Sequence, residues 1–199
     1  MDVIDTESHI KNTAKKIFFT LGRLNAKTQE IADEAKVNRA LLHYYFRTRE
    51  KLFEIVLKEA MEESHKEFFE IVSTALPFEQ KVQEIVAHML ERTIKYPFME
   101  TFIISEMVKN PDDICIHRSI PEENNIRMNF RKEIQNYIDE NHLPHIKPQH
   151  FIANLFAMCC YPSVTKQLLM SIFQYNNEEF ETFIQERKLV ITKVLLGKK

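Results

Sequence analysis

The stretch NRALLHYYF, from Asn38 to Phe46, places one histidine, two tyrosines and a phenylalanine side by side. Asn38 can cap a short helix, and the four-residue spacing of Leu42 and Phe46 puts both side chains on one helical face. We expect that face to point into a core. The histidine and the tyrosines then lie on other faces, which raises the question of what they contact.

A second short helix precedes this stretch, starts near Thr28 and is followed by a break at Lys36 and Val37. Its small residues Ala32 and Ala35 allow a neighbouring helix to approach closely. Only three or four residues separate the two helices, and such a pair is a helix-turn-helix. We expect one small core to hold this pair against the first helix. The apolar residues predicted to form it are Ile17, Phe18, Leu21, Ile31, Val37, Leu42 and Phe46.

The outward face of the second helix of this pair carries the groups that DNA recognition requires. A helix in the major groove needs hydrogen-bond donors, small residues and apolar groups that meet thymine methyls. Arg39 can donate two hydrogen bonds to guanine, and Leu41 can contact a methyl group. Tyr44 and Tyr45 can donate hydrogen bonds to phosphates. The sequence therefore predicts a row of donors, His43, Tyr44 and Tyr45, along the phosphate wall.

Charge and helix starts around this stretch agree with a polyanion as partner. Five basic residues against one acidic residue lie between positions 36 and 51, in a chain whose formal net charge is -2. The Thr28 hydroxyl at a helix start can bind a phosphate. Arg49 and Lys51 open the next helix, where a cation costs a few tenths of a kcal/mol that a bound phosphate would offset. From charge alone, a solvated basic surface is the alternative.

The composition excludes several classes of protein. Hydrophobic residues make up 44% of the 199 residues and charged residues 28%, which is typical of a globular chain. With 2 glycines, the sequence has no glycine-rich phosphate loop. Long segments of good helix formers predict an all-α protein of about nine helices. We expect an N-terminal three-helix helix-turn-helix domain over residues 1–50, joined by a long helix to a C-terminal helical ligand-binding and dimerisation domain over residues 51–199.

Cysteine usage and hydropathy predict a cytoplasmic protein. Cys159 and Cys160 are adjacent and make a poor disulfide pair, so reduced thiols are the simplest interpretation. The N-terminus lacks the basic region and apolar core of a signal peptide. No apolar run reaches the roughly 18 residues that a membrane span needs.

No cluster of reactive residues predicts a metal, a cofactor or an enzyme. The histidines of one loop, His142, His145 and His150, have a spacing that fits no standard metal pattern. Cys115 and His117 share another loop, but no Ser/His/Asp set or paired carboxylates stand out in the sequence. We therefore expect no catalytic residues.

A single helix-turn-helix covers one DNA half-site, so we expect a homodimer that holds two of them about 34–36 Å apart. The predicted eighth helix, FIANLFAMCCYP, is apolar almost all round, and such a helix is buried on all sides. One side can pack on its own domain, and the other then needs a partner. The predicted ninth helix adds Phe180, Phe183, Ile184, Ile191, Val194 and Leu195 to this interface. Pro162 is expected to bend or interrupt this eighth helix. The alternative to the dimer interface is a central helix in a monomeric bundle.

A ligand cavity is predicted among the fifth, sixth, seventh and eighth helices, because methionine and phenylalanine side chains recur there and methionine adapts to varied shapes. The alternative is plain core, which such residues form more often. Asn154 could be either a hydrogen-bonded core residue or a polar contact for the ligand. The candidate ligand-binding residues are Met89, Phe98, Met99, Phe102, Met107, Phe130, Phe151, Asn154, Leu155 and Met158.

The run TQEIADEAKVNRALLHYYFRTREKLF resembles the N-terminal DNA-binding region of the TetR family of bacterial transcription regulators. The features that carry the resemblance span about residues 6–55. They are Thr28, Ile31-Ala32, Ala35-Lys36-Val37, His43-Tyr44-Tyr45-Phe46 and Arg49-Glu50-Lys51-Leu52. Three positions depart from the pattern: His43 replaces the usual tyrosine, Lys36 replaces the turn glycine, and Ala40 stands near a position where other members have glycine. If Lys36 adopts a positive φ, it costs on the order of 1 kcal/mol.

The resemblance implies a role for each residue of the predicted DNA-binding face. Thr28, Tyr44, Tyr45 and Arg49 would hold phosphates, while Arg39, Ala40, Leu41 and His43 would face bases. It also implies a homodimeric regulator, most often a repressor, that a small effector releases from a double-stranded DNA operator. The alternative is an all-helical carrier or sensor of hydrophobic ligands that does not bind DNA.

Overall fold

The computed structural model describes residues 3–109, 121–143 and 146–198, and every regular element in those ranges is helical. The first helix, α1, continues directly into a π-helical turn over Lys16–Thr20. The α-helices are α1 (Val3–Lys15), α2 (Thr28–Glu34), α3 (Arg39–Phe46), α4 (Arg49–Ser73), α5 (Phe78–Lys95), α6 (Met99–Lys109), α7 (Pro121–Glu140), α8 (Pro148–Val164), α9 (Lys166–Phe173) and α10 (Asn177–Leu195).

The all-helical fold class is confirmed, and the described ranges contain one helix more than the sequence predicted, the short α9. Pro162 does not interrupt α8, which passes through it and ends at Val164. Proline lacks an N–H, so the carbonyl oxygen of Met158 loses its donor within the helix. The Nη2 atom of Arg187 on α10 donates to that oxygen at 3.1 Å instead. A hydrogen bond from α10 therefore satisfies the carbonyl oxygen that Pro162 leaves without a backbone donor.

The turn between α2 and α3 is defined by its hydrogen bonds. Val37 N–H donates to the Ala32 carbonyl oxygen and Lys36 N–H to that of Asp33, which is the pattern of a Schellman motif. Lys36 occupies the position that favours glycine and has a φ of 54°. The side chain of Asn38 caps α3 by accepting from the Ala40 N–H at 2.8 Å. This short turn sets α3 against α2 and confirms the cap predicted at Asn38.

A hydrophobic cluster, called here the head core, packs the first four helices together. Leu42 and Phe46 are buried in it, as predicted, while Val37 is only half-buried at its edge. The prediction for Leu21 was wrong, because 47% of that residue is exposed. The wider π-helical turn buries three consecutive residues, Ile17, Phe18 and Phe19, and leaves Leu21 beyond the packed face.

The head core crosses the predicted domain boundary at residue 50. It includes Leu52 and Val56 of α4, and Met99 and Phe102 of α6 also belong to it. A second cluster, the C-terminal core, is built from the end of α4 together with α5, α7, α8 and α10. The division into residues 1–50 and 51–199 stays a prediction, since α4 and α6 contribute to the packing of the head.

The head docks on the turn between α5 and α6 through backbone as well as side chains. The Phe98 N–H donates to the Phe19 carbonyl oxygen at 3.0 Å, and the Thr20 hydroxyl donates to the Lys95 carbonyl oxygen at 3.1 Å. The Phe19 ring lies 6.0 Å from that of Phe102. The π-helical turn is thus the direct joint between the first helix and α6.

Candidate nucleic-acid interface

Helix α3 separates its buried face from an exposed face near its N-terminus. Leu42 is fully buried, whereas Arg39, Ala40 and His43 are exposed and Leu41 is half-buried. The Asn38 cap fixes the start of the helix, so the exposed residues of the first turn project from a defined end. The face that was predicted to contact bases is therefore open to solvent.

Of the predicted donors, Tyr44 and Tyr45 differ in how far they are buried. Tyr44 is 66% exposed, while Tyr45 is half-buried and packs against the head core. Their rings meet edge to face, with centroids 5.3 Å apart. Tyr45 therefore supports the orientation of Tyr44, and of the two tyrosines Tyr44 is the one exposed to a partner.

Three exposed cations surround α3 without acidic partners. Within the described part of the chain, Lys36, Arg39 and Arg47 have no carboxylate in ion-pairing distance. Lys51, by contrast, pairs with Glu54 at 3.1 Å at the surface. Unpaired guanidinium and ammonium groups at the surface are available for phosphates. Lys36 and Arg47 were absent from the predicted site, and the local charge count of the sequence was the signal that could have included them.

Arg49 has a structural role in this state. Its Nε donates to the Ala26 carbonyl oxygen at 3.2 Å, and its guanidinium lies 5.4 Å from the centre of the Phe18 ring. Its Nη1 is also 3.5 Å from a carboxylate oxygen of Glu50. Arg49 therefore ties the start of α4 to the head core, and a phosphate would have to share it.

Thr28 begins α2 and is half-buried, but an anion already lies near this helix end. Glu30 accepts from the Lys27 N–H at 3.3 Å and forms an ion pair with Arg23. A phosphate approaching Thr28 would meet this carboxylate, although the Arg23 charge offsets part of the repulsion.

The structure does not bring the ten candidate ligand residues together. Phe98, Met99 and Phe102 belong to the head core, whereas Met89, Phe130, Phe151, Leu155 and Met158 belong to the C-terminal core. Met107 is half-buried on α6, and Asn154 is exposed on α8. Two surface pockets of about 610 and 380 Å³ lie against α7, and none of the ten residues lines either one.

A polar cluster that sequence reasoning missed joins α4, α5 and α6. Arg92 on α5 donates to the Ser64 hydroxyl on α4 and to the Glu100 carboxylate on α6. Glu100 is buried, and only 18% of the Arg92 side chain is exposed. Nothing in the local spacing of these three residues indicates that they meet. Burying these two charges costs desolvation energy, and their attraction offsets that cost only while both partners stay in place.

An apolar surface runs along α8, α9 and α10, away from the C-terminal core. The large apolar residues exposed there are Phe156, Tyr161, Val164, Leu168, Ile172, Phe173, Leu189, Val190 and Val194. The predicted interface residues of α10 are divided: Val194 is on this surface, whereas Phe180, Ile184, Ile191 and Leu195 are buried and Phe183 is half-buried. The predicted all-round apolar α8 thus has a packed side and an uncovered side.

The remaining sequence expectations concern metals and membranes. Within the described ranges, no three His, Cys, Asp or Glu side chains are grouped closely enough to hold a metal ion. Cys115, His117 and His145 lie outside the described residues. No helix in the described ranges is both long enough and apolar enough to cross a bilayer.

Comparison with known proteins finds a match to one family in the N-terminal part of the chain. Residues 10–56 match the model described as bacterial regulatory proteins, tetR family. The HTH-type transcriptional repressor NicS of Pseudomonas putida is 27% identical over 101 residues, 51% of this chain and 48% of that protein. The aligned part thus spans about half the length of this curated relative.

Solved structures resemble the chain over most of its length. A TetR-family transcriptional regulator from Streptomyces coelicolor has a TM-score of 0.61 at 13% identity, covering 96% of this chain and 88% of that one. A transcriptional regulator of the TetR/AcrR family from Thermobifida fusca has a TM-score of 0.58 at 15% identity, covering 96% and 97%. At these identities the likeness establishes the fold, an N-terminal helix-turn-helix unit followed by a C-terminal helical domain.

Proposed function

We propose that the chain is a member of the TetR family and a sequence-specific DNA-binding transcription regulator, since residues 10–56 match the model of bacterial regulatory proteins of that family. We further propose that it is a repressor that a small hydrophobic ligand releases from its operator. The observation that supports this function most directly is the division of α3, which buries Leu42 and Phe46 and exposes Arg39, Ala40 and His43. A non-enzymatic role at DNA in the cytoplasm follows from the same proposal.

We assign the residues of α3 and of the segments beside it to two kinds of DNA contact, to bases and to phosphates. Arg39 in the first turn, with Ala40, Leu41 and His43, would read base edges in the major groove. Tyr44 would donate to a phosphate. The predicted phosphate contacts Thr28, Tyr45, Arg49 and Lys51 remain part of the proposal, and the unpaired Lys36 and Arg47 join them on the evidence of their exposure. Phosphate contacts supply affinity, while base contacts supply sequence choice.

Selection of bound sequences from a random double-stranded DNA pool tests this function. We expect enrichment of a site with two related half-sites, followed by tight binding of that site in fluorescence-anisotropy titrations. Shuffled DNA of the same length should bind far more weakly at equal salt concentration. If the pool yields no preferred sequence and the chain nevertheless binds apolar ligands, the alternative of a DNA-independent carrier or sensor is correct.

We propose that two copies associate through the uncovered apolar surface of α8 and α10. Leu189, Val190 and Val194 are exposed on α10, and Phe156 is exposed on α8. Apolar side chains on one face of neighbouring helices are typical of an interface between subunits. Size-exclusion chromatography with light scattering at micromolar concentration should give the mass of two chains. A mass of one chain would contradict the proposed dimer.

A further inference from the structure

We propose that the C-terminal domain binds a small organic carboxylate with an apolar body at Arg92, in competition with the internal carboxylate of Glu100. This inference rests on the proposed function, because it names the chemical class of the effector. The relevant cluster lies between α4, α5, α6, α8 and α10 and consists of Ser64, His88, Arg92, Glu100 and Arg187, with Cys159 beside it.

The first observation is that donors and acceptors remain unused in one place. Within the described ranges, three buried side-chain polar atoms have no hydrogen-bond partner: His88 Nε2, Arg92 Nε and Arg187 Nε. His88 and Arg92 are one turn apart on α5, and both guanidinium groups lie within electrostatic reach of the Cys159 thiol. The other ring nitrogen of His88 lies 3.3 Å from Glu67. Buried polar atoms without partners are rare in folded proteins, so the free Nε atoms of Arg92 and Arg187 are open to a polar group that enters beside them.

The second observation is the balance of charge. Arg92 pairs with Glu100, and Glu67 and Glu91 lie on the His88 side of the cluster. Within the described ranges, Arg187 has no carboxylate at ion-pairing distance. Burial raises the pKa of the Cys159 and Cys160 thiols to about 12, so neither thiol supplies a second anion near neutral pH. A largely buried guanidinium without a carboxylate of its own, such as that of Arg187, is costly unless an anion accompanies it. An incoming carboxylate supplies that charge and can accept from the free Nε atoms.

The third observation is the apolar surface around the cluster. Met89 and Leu155 are buried in the C-terminal core, and Met158 packs against it. The Met158 carbonyl oxygen itself accepts from Arg187. Met89 lies three residues before Arg92 on α5, so the apolar part of a ligand held at Arg92 would meet this side of the core. This environment favours an amphiphilic acid over a phosphate or a sugar acid.

The position of Glu100 explains how such a ligand would be sensed. Glu100 is in the first turn of α6, between Met99 and Phe102, which are both part of the head core. Its ion pair with Arg92 fixes the start of α6 against α5. A carboxylate that takes the place of Glu100 at Arg92 releases this attachment, and the contact of Phe102 with Phe19 is then free to shift.

Titration calorimetry with the full chain tests the proposal directly. The probes are octanoate and benzoate, with octanol and benzyl alcohol as neutral matches of similar shape. We expect both carboxylates to bind at least roughly tenfold more tightly than their alcohols, because a charge-assisted pair with Arg92 is lost in the alcohol. Equal binding of acid and alcohol, or no binding of either acid, overturns the proposal.

Substitutions locate the site. We expect Glu100→Gln to strengthen octanoate binding severalfold, because it removes the internal competitor, while the R92Q/E100Q double variant abolishes the preference for the acid without leaving a buried carboxylate unpaired. Arg131→Gln is the control, since Arg131 is exposed on α7 and lines the larger surface pocket. If R131Q loses binding and the double variant keeps it, the site is that pocket and the proposal is wrong.

Failure of this inference can be told apart from failure of the proposed function. DNA binding by the unliganded chain is measured separately by fluorescence anisotropy. A chain that binds its selected DNA site but no carboxylate refutes the effector class alone. A chain that binds carboxylates at Arg92 but no specific DNA refutes the regulator function and leaves the binding site standing.

Discussion

The backbone N–H of Phe98 donates to the carbonyl oxygen of Phe19 at 3.0 Å, which joins the π-helical turn after α1 to the start of α6. Two residues beyond that turn, Gly22 has a φ of 65°, and a Cβ added there would lie 2.8 Å from the Phe98 ring. Position 22 therefore requires glycine for two reasons: its φ is positive, and the Phe98 ring occupies the space of a Cβ.

Gly22→Ala should destabilise the chain by about 1–3 kcal/mol, because it combines left-handed strain with a clash against Phe98. Urea denaturation followed by circular dichroism measures the change. In a double-mutant cycle, Phe98→Ala should relieve the clash, so that the glycine substitution costs less in its presence. Equal cost in both backgrounds would show that backbone strain alone is responsible.

Lys36→Gly should stabilise the chain by about 1 kcal/mol, since Lys36 has a φ of 54° at the end of α2 and glycine adopts that conformation without strain. The matched control is Lys36→Ala, which removes the same cation and keeps the strain. We expect a higher thermal midpoint for the glycine variant only. A midpoint raised equally by both substitutions would assign the gain to charge.

Arg39→Ala should cost about 1–3 kcal/mol of binding at one base pair and leave fold stability unchanged, because Arg39 is exposed and unpaired. Arg47→Ala should weaken binding to all sequences alike and reduce the salt dependence. Anisotropy titrations on specific and random DNA at several salt concentrations separate the two effects.

Arg49→Ala is less informative about phosphate binding, since it also removes the hydrogen bond to the Ala26 carbonyl oxygen and the contact with the Phe18 ring. We expect about 1 kcal/mol of lost stability from it. Lost DNA affinity in that variant must therefore be corrected for the folded fraction.

An equal loss of affinity for specific and random DNA in Arg39→Ala would contradict the role of Arg39 in base reading.

Val190→Glu should convert the proposed dimer to a monomer, because Val190 is 51% exposed on the uncovered face of α10 and a carboxylate there would be buried against its symmetry mate. Light scattering gives the mass directly. Glu181→Gln, also exposed on α10, controls for a change of charge on this helix. A dimer that survives Val190→Glu places the interface elsewhere.

Acid should destabilise the fold through His88. Burial and the nearby Arg92 lower the pKa of His88, while Glu67 and Glu91 oppose them. The unfolded chain therefore takes up a proton as pH falls below the ordinary histidine value of about 6.5, before the folded chain does, and stability declines with falling pH. His88→Gln should show a shallower decline in urea denaturation between pH 7 and pH 5. Identical slopes would remove His88 from the pH response.

Much of the N-terminal unit could be predicted from local sequence. Asn38 was expected to cap α3, and its side chain accepts the capping hydrogen bond from the Ala40 N–H. Leu42 and Phe46 were expected to face inward because four residues return a helix to the same face, and both are buried. These features depend on residues within one or two helical turns, so the sequence pattern contains them.

Other features depend on residues that are distant in the chain, and only the tertiary structure decided them. Leu21 is exposed because the π-helical turn shifts the packed face by packing on α6, and α8 continues through Pro162 because Arg187 of α10 satisfies the Met158 carbonyl oxygen. The cluster of Ser64, Arg92 and Glu100 joins three helices in the same way. Helical periodicity determined which face of each helix is apolar, whereas desolvation and hydrogen bonding between helices determined which polar groups share the interior.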